Sequence, residues 1–241
     1  MSGTVIILGA GNPSGVGGAL ARKFASEGHH VIVSGRTQEK LDKTVKTVSV
    51  EGRAEGVVAD VTAEHELDAL FEHATSLGKP IDAVLFNAGS NMPIPFADLS
   101  ADLFEEFWRI GCLGAFHTAK RALPLLEAQG HGSLLFTGAS ASMRGRPNFA
   151  HFASSKAALR NLVQALAREY GPKNIHIAHV IIDGIVNGDI VRGRFGQYLE
   201  SLGEDGALEP DAIADAFWTL HKQHRSAWTH ELDLRPFKEN W

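Results

Sequence analysis

The chain has 241 residues, a net charge of -5 at neutral pH and one cysteine, Cys112. That length suits one α/β domain, residues 1–241, with a large core. The charge balance offers no basic surface for nucleic acid and no Lys/Arg run for a membrane, one cysteine cannot close an internal disulfide, and no apolar run is long enough to span a bilayer.

"TVIILGAG" reads as a buried strand that ends in Gly/Pro/Ser punctuation. "GGALARKFASEG" has helical periodicity and stops at Gly28. "HVIVSGR", "RAEGVVADV", "IDAVLFNAG", "GSLLFTGAS" and "IHIAHVIIDG" supply strands two to six, and "THELDLRP" a last strand. Helices fill the gaps, with long ones near 100–129 and 149–170. Strand–helix alternation with nearly continuous apolar strands predicts α/β architecture, a Rossmann-type doubly wound parallel sheet. Residues 184–209 carry six glycines and mixed charge and read as the least regular segment, a substrate lid. Met1 leads almost directly into the first strand, which leaves no room for a signal peptide and gives the expectation of a cytoplasmic location.

The first strand runs into "GAGNPSGVGGAL", where Gly11, Gly15 and Gly17 space a G-x-x-x-G-x-G turn before a helix. Such glycines let backbone approach a pyrophosphate at a helix N-terminus, where unpaired N–H groups favour an anion. Asn12, Ser14 and Val16 belong to the same turn. Arg36 follows strand two, where the adenosine ribose would lie; an arginine there suits a 2′-phosphate, and an acidic residue would suit a free hydroxyl. Asp60 and Val61 end strand three, and Asn87, Ala88 and Gly89 end strand four. Each has an ordinary alternative: a solvated arginine, a helix N-cap, a polar turn. Four successive strand ends that point at one crevice favour the dinucleotide.

With "ADV", "NAG" and "FASSKAAL" in order behind that glycine loop, the sequence resembles the short-chain dehydrogenase/reductase family over nearly its whole length. The resemblance implies a parallel sheet of about seven strands, an NAD(P) cofactor with NADP(H) preferred over NAD(H) through Arg36, and a small-molecule substrate. It also implies homodimers or homotetramers built through the two long helices. Asp60 would contact adenine, the "NAG" loop would lie along the cofactor, and Lys156 would hold the nicotinamide ribose. The glycine loop is about a residue longer than the family's usual version.

Hydride transfer from an alcohol requires removal of the hydroxyl proton. The resemblance assigns this to a tyrosine beside a lysine, with a serine that holds the substrate oxygen and an asparagine that anchors a water relay. Carried onto this sequence, the tyrosine position is Phe152, the serine position Ala139 and the asparagine position Gly111; Lys156 is retained. The enoyl reductases' alternative tyrosine position is Phe149. Strand six ends in Asp183-Gly184 where the family has proline-glycine, with Gly188 at a following threonine position. Substitutes for the lost groups are Ser140, Asp183 as an acid/base or partner of Lys156, and Tyr198 in the lid. His151 neighbours Phe152 but points about 100° away on a helix. Each also fits a structural role: a strand-end serine, a loop-capping aspartate, a packed tyrosine. Twelve histidines include His221 and His224 on one expected helix face, but no carboxylate or cysteine completes a cluster, so no metal is expected. The loops "SNMPIPF" and 184–209 carry few charges and favour an uncharged substrate. The sequence thus reads as an NADP(H)-dependent oxidoreductase on a small carbonyl or alcohol. The alternatives are a non-catalytic dinucleotide sensor or partner subunit, and an isomerase or lyase on the same scaffold.

Overall fold

The computed structural model describes residues 2–239. Seven strands form one parallel sheet: β1 (Thr4–Leu8), β2 (His30–Gly35), β3 (Arg53–Val58), β4 (Ile81–Phe86), β5 (Gly132–Thr137), β6 (Ile175–Ile182) and β7 (Glu231–Leu234). Their order is β3-β2-β1-β4-β5-β6-β7. The winding direction reverses between β1 and β4, and in such sheets ligands bind beyond the strand C-termini at that reversal.

Eight α-helices connect the strands: α1 (Val16–Ser26), α2 (Gln38–Val48), α3 (Glu64–Ser76), α4 (Ala101–Trp108), α5 (Gly114–Gln129), α6 (Ala150–Tyr170), α7 (Asp189–Leu202) and α8 (Pro210–Lys222). Alternation along β1 splits the core in two. Val5 and Ile7 pack with Leu20 and Phe24 of α1 and Ile213, Phe217 and Leu220 of α8. Ile6 and Leu8 face Leu67, Leu70 and Phe71 of α3, Ala115, Ala119 and Leu123 of α5, and Leu159 and Val163 of α6. Each such Leu, Ile or Phe contributes about 1.5–3 kcal/mol by burial, so both faces are covered and the strands read as continuous apolar runs.

The structure refines two expectations. The helix near 100–129 is continuous from Ala101 to Gln129 and carries a π-helical turn at Arg109–Leu113 between α4 and α5. Gly111 lies in that turn, and a Cβ there would stand 2.2 Å from Ser155 Oγ on α6. Ser155 Oγ donates to Phe107 O at 3.0 Å, so the side chain of α6 fills the space a larger residue would need. The segment 184–209 is also more regular than its glycines suggest, because α7 spans most of it with a kink at Phe195. No α7 residue is buried. Its start is tied to the glycine loop by Asp189 N–H donating to Ser14 Oγ at 3.4 Å.

Candidate functional site

At the reversal, the backbone turns sharply at Gly9, which has φ +88° and whose Cβ would lie 2.5 Å from Ala88 N. Only glycine tolerates both conditions. Asn87 fastens this corner: its Nδ2 donates to Gly9 O at 2.9 Å and its Oδ1 accepts from Thr137 Oγ1 at 2.9 Å. One side chain thus joins the ends of β1, β4 and β5. Beyond it the loop opens. A Cβ on Gly11 would find nothing nearer than 3.9 Å, and on Gly15 nothing nearer than 3.6 Å. Asn12 Oδ1 accepts from both the N–H and the Oγ of Ser14, at 3.1 and 3.0 Å. The first turn of α1 has no side-chain cap. Unpaired N–H groups beside an open glycine cradle fit a phosphate.

Beyond the ends of β2 and β3, a cavity of about 360 Å³ is lined by Arg36, Asp60, Thr62, Asp102, Glu105, Glu106, Arg109 and Ile110. Arg36 Nη1 lies 4.0 Å from Asp60 Oδ2. Asp60 is not the N-cap of α3, a position held by Ala63. Its Oδ1 accepts from the N–H and hydroxyl of Thr62, both at 2.8 Å, and so holds the turn that follows β3. Val61 is buried against Gly114, where an added Cβ would come within 2.6 Å of Val61 Cγ2.

At the other end of the crevice, Lys156 is buried and donates from Nζ to Thr137 O at 2.7 Å. Burial lowers its pKa to about 8. Nζ lies 5.8 Å from the centre of the Phe152 ring, and Gly89 closes over it, its Cβ position 3.7 Å away. Lys156 and Asp183 are not paired. Ser140 opens a short 3₁₀ turn, Ser140–Ser142. The β5–β6 register runs unbroken to Thr137↔Val180, so the strand end has no shift that would move Ser140 into the place of Ala139. His151 is buried, with Nε2 on Met92 O at 3.2 Å and its ring edge-on to Phe107. Tyr198 is 56% exposed on α7.

Five residues given no site role in the sequence reading, Arg144, Ser142, Arg160, His179 and Glu231, organise this end together with Asp183. Asp183, 1% exposed, receives Arg144 Nη2 on both carboxylate oxygens at 2.8 and 2.9 Å. A buried chain runs from Ser142 Oγ to His179 Nε2 at 3.4 Å, and from His179 Nδ1 to Glu231 Oε2 at 3.1 Å. Arg160 grips Glu231 through Nε and Nη2 at 2.6 and 2.7 Å. Burial pushes His179 down to about 4 against the opposing pull of Glu231. Arg160 holds the Glu231 carboxyl below its ordinary value. The two arginines of "SMRGR" were the available signal for Arg144, but nothing local names its partner.

Residues 3–197 match the family model described as short chain dehydrogenase, and the chain belongs to that family. An oxidoreductase, asL5, from Sarocladium schorii is 32% identical over 196 residues, 81% of this chain and 75% of the relative. A short-chain dehydrogenase from Rhodopseudomonas palustris superimposes with a TM-score of 0.82 at 35% identity, over 97% of this chain and 98% of that one. An alcohol dehydrogenase from Thermococcus sibiricus, in complex with 5-hydroxy-NADP, superimposes at 0.85 with 25% identity over 100% of this chain and 99% of its own. Among the described residues no helix is long and apolar enough to cross a membrane.

Proposed function

We propose that this chain is an NADP(H)-dependent oxidoreductase acting on a small carbonyl or alcohol, with a catalytic end that departs from its family's pattern. The observation that carries the reading is the open glycine cradle at an uncapped helix start, in line with Arg36 at one side and buried Lys156 at the other. The turn formed by Gly11, Asn12, Ser14, Gly15, Val16 and Gly17 would hold the pyrophosphate, Arg36 the 2′-phosphate, Asp60 and Val61 the adenine, and Ala88, Gly89, Lys156 and Gly184 the nicotinamide side. Bound nicotinamide supplies or accepts the hydride. Asn87 positions the corner through both ends of its amide, and the loop it starts would lie along the cofactor. Phe152 cannot move a proton, so Lys156 serves as a binding cation and the carbonyl oxygen takes its proton from water or from a group brought in by α7, of which Tyr198 is one. Exposed Phe104, Trp108 and Phe116 on α4 and α5 support a homodimer or homotetramer built on those helices.

The phenyl ring beside Lys156 also favours a second reading, a non-catalytic dinucleotide sensor. Calorimetric titration with NADPH and NADH, followed by a carbonyl screen read by cofactor absorbance, separates the two. Tight NADPH binding with oxidation by some carbonyl supports the enzyme; tight binding with no oxidation across the screen supports the sensor.

A further inference from the structure

After β6 the chain leaves the core, and it rejoins the core at α8. Residues 188–207 form the excursion between. At its neck Leu208 N–H donates to Ile185 O and Asn187 N–H to Leu208 O, both at 2.8 Å. Asn187 Nδ2 also donates to Glu209 Oε1 at 2.5 Å. The neck is therefore fixed. Beyond it stands α7, which has no buried residue. Most helices are held to a fold by an apolar face, so α7 depends on what its two ends touch.

The two ends are held differently. At the start of α7 Asp189 N–H reaches Ser14 Oγ at 3.4 Å, a long contact to a hydroxyl that also bonds Asn12. Gly188 lies on the same loop, where an added Cβ would stand 3.4 Å from Ser14 O. Past the last residue of α7 Lys238 Nζ donates to Glu204 O at 2.7 Å and to Leu202 O at 3.4 Å. The last carbonyls of a helix have no partner inside it, and a cation there also meets the negative end of the dipole. Lys238 is itself anchored on both sides. Pro236 is buried against Gly184, where an added Cβ would stand 2.6 Å from Pro236 Cδ. Glu239 Oε1 lies 3.9 Å from Arg146 Nη2 in the loop between β5 and α6, and Glu239 N–H closes a turn onto Pro236 O at 3.0 Å. Residues 235–239 thus cross the end of β6 and grip the far end of α7. Between its ends the helix is broken. Phe195 has φ -136° and ψ 31°, outside the helical range. Gly193 and Gly196 flank it, and an added Cβ on either would meet nothing within 4 Å. Glycine is a poor helix former, so the break is easily bent.

We propose that residues 235–239 are a clasp that fixes the second half of α7, 196–202, as a post, and that the first half, 189–194, turns about Phe195 as a gate over the glycine loop. Lys238 closes the clasp. The clasp stands on these contacts alone; the ligand behind the gate is the dinucleotide, and that part rests on the reading above. The gate's contact falls on Ser14, in the turn that would hold the pyrophosphate, so the gate opens before a dinucleotide enters or leaves. With the clasp closed, motion is confined to the break at Phe195. With it open, the whole helix also swings at Gly203, where φ is +69°. The clasp therefore governs how fast the dinucleotide exchanges and has little effect on how tightly it binds.

Hydrogen exchange of the full chain without ligand tests the clasp. Lys238→Ala should speed exchange of the amides of 196–202 about fivefold, as expected for loss of a cation at a helix end, and change those of 189–194 by less than about twofold. Lys238→Arg keeps a cation and should exchange like the wild type. No change at 196–202 in Lys238→Ala would overturn the clasp. Stopped-flow mixing with NADPH, read by its fluorescence, tests the gate. Lys238→Ala should raise the association and dissociation rates together, each about threefold or more, and leave Kd within about twofold. Gly193→Ala with Gly196→Ala stiffens the break and should slow both rates. If Lys238→Ala leaves both rates alone, or raises dissociation only and so weakens binding, the gate is wrong. If NADPH does not bind the wild type, the dinucleotide reading falls and the gate with it, while the exchange result still decides the clasp.

Discussion

The two ends of the crevice are built by opposite means. At the glycine end the walls are backbone, Gly11 and Gly15 have open space before them, and Asn87 is bonded to the protein at both ends of its amide. At the Lys156 end the walls are side chains in buried contact: Ser155 against Gly111, His179 against Gly138, Arg144 on Asp183. A backbone cradle asks little of its neighbours. A side-chain lattice must change as a set, since removing one partner strands another.

The largest effect should come from acid. His179 on β6 and His221 on α8 are both held near 4 by burial, against about 6.5 in an unfolded chain. The unfolded state therefore binds protons first. Stability is fully present above about pH 6.5 and is lost as pH falls toward 4, by about 3 kcal/mol for each histidine. Urea unfolding from pH 7.5 to 4.5 should show this loss, and NMR should show His179 untitrated at pH 5.5. His221 packs with His29 and Trp218 at the opposite edge of the sheet, so His179 is the probe of the Lys156 end, and titration of His179 near 6.5 would break the picture of its tight packing.

Next, one substitution made at both ends should give opposite results. At Gly138 a Cβ would lie 2.2 Å from His179 Nε2, so Gly138→Ala should cost about 3 kcal/mol of unfolding free energy. Adding His179→Ala should recover part of it, because the two residues share one space. Gly11→Ala should change stability by less than about 0.5 kcal/mol and weaken NADPH binding instead. Equal stability costs at the two glycines would remove the contrast.

Arg36→Ala should weaken NADPH about tenfold or more and leave NADH nearly unchanged, in keeping with a charge-assisted contact of about 1.5–3 kcal/mol. Calorimetry on both dinucleotides decides it, and equal losses for the two would deny Arg36 its 2′-phosphate role. The smallest effect concerns chemistry. Phe152→Tyr with Ala139→Ser should raise the rate on activated carbonyls, and Phe152→Tyr alone should raise it less. Gly111 is left alone because Ser155 occupies its side-chain space. If NADPH binding survives in the double variant and the rate does not move, the surrounding lattice is what limits the reaction.

The strands, the doubly wound parallel sheet and the glycine loop between β1 and α1 were legible in the sequence because their signals are local. A buried parallel strand shows as an apolar run, and a phosphate cradle as glycines at fixed spacing between a strand and a helix. Asp60 was placed at the right strand end but with the wrong alternative, since its turn holds Thr62 and it does not cap α3. Asp183 stood out as unusual, yet its partner could not be read from the chain, because Arg144 lies 39 residues away. The same holds for His179 and Glu231, 52 residues apart, and for Arg160 and Glu231, 71 apart. The packing at the π-helical turn Arg109–Leu113 was hidden for a related reason: the side chain that meets Gly111 there, Ser155, is on another helix. The periodicity of a sequence records which side chains leave water, since that depends on position along one element. Which buried polar groups then satisfy one another depends on how elements far apart in the chain are packed, and only the tertiary structure decided that.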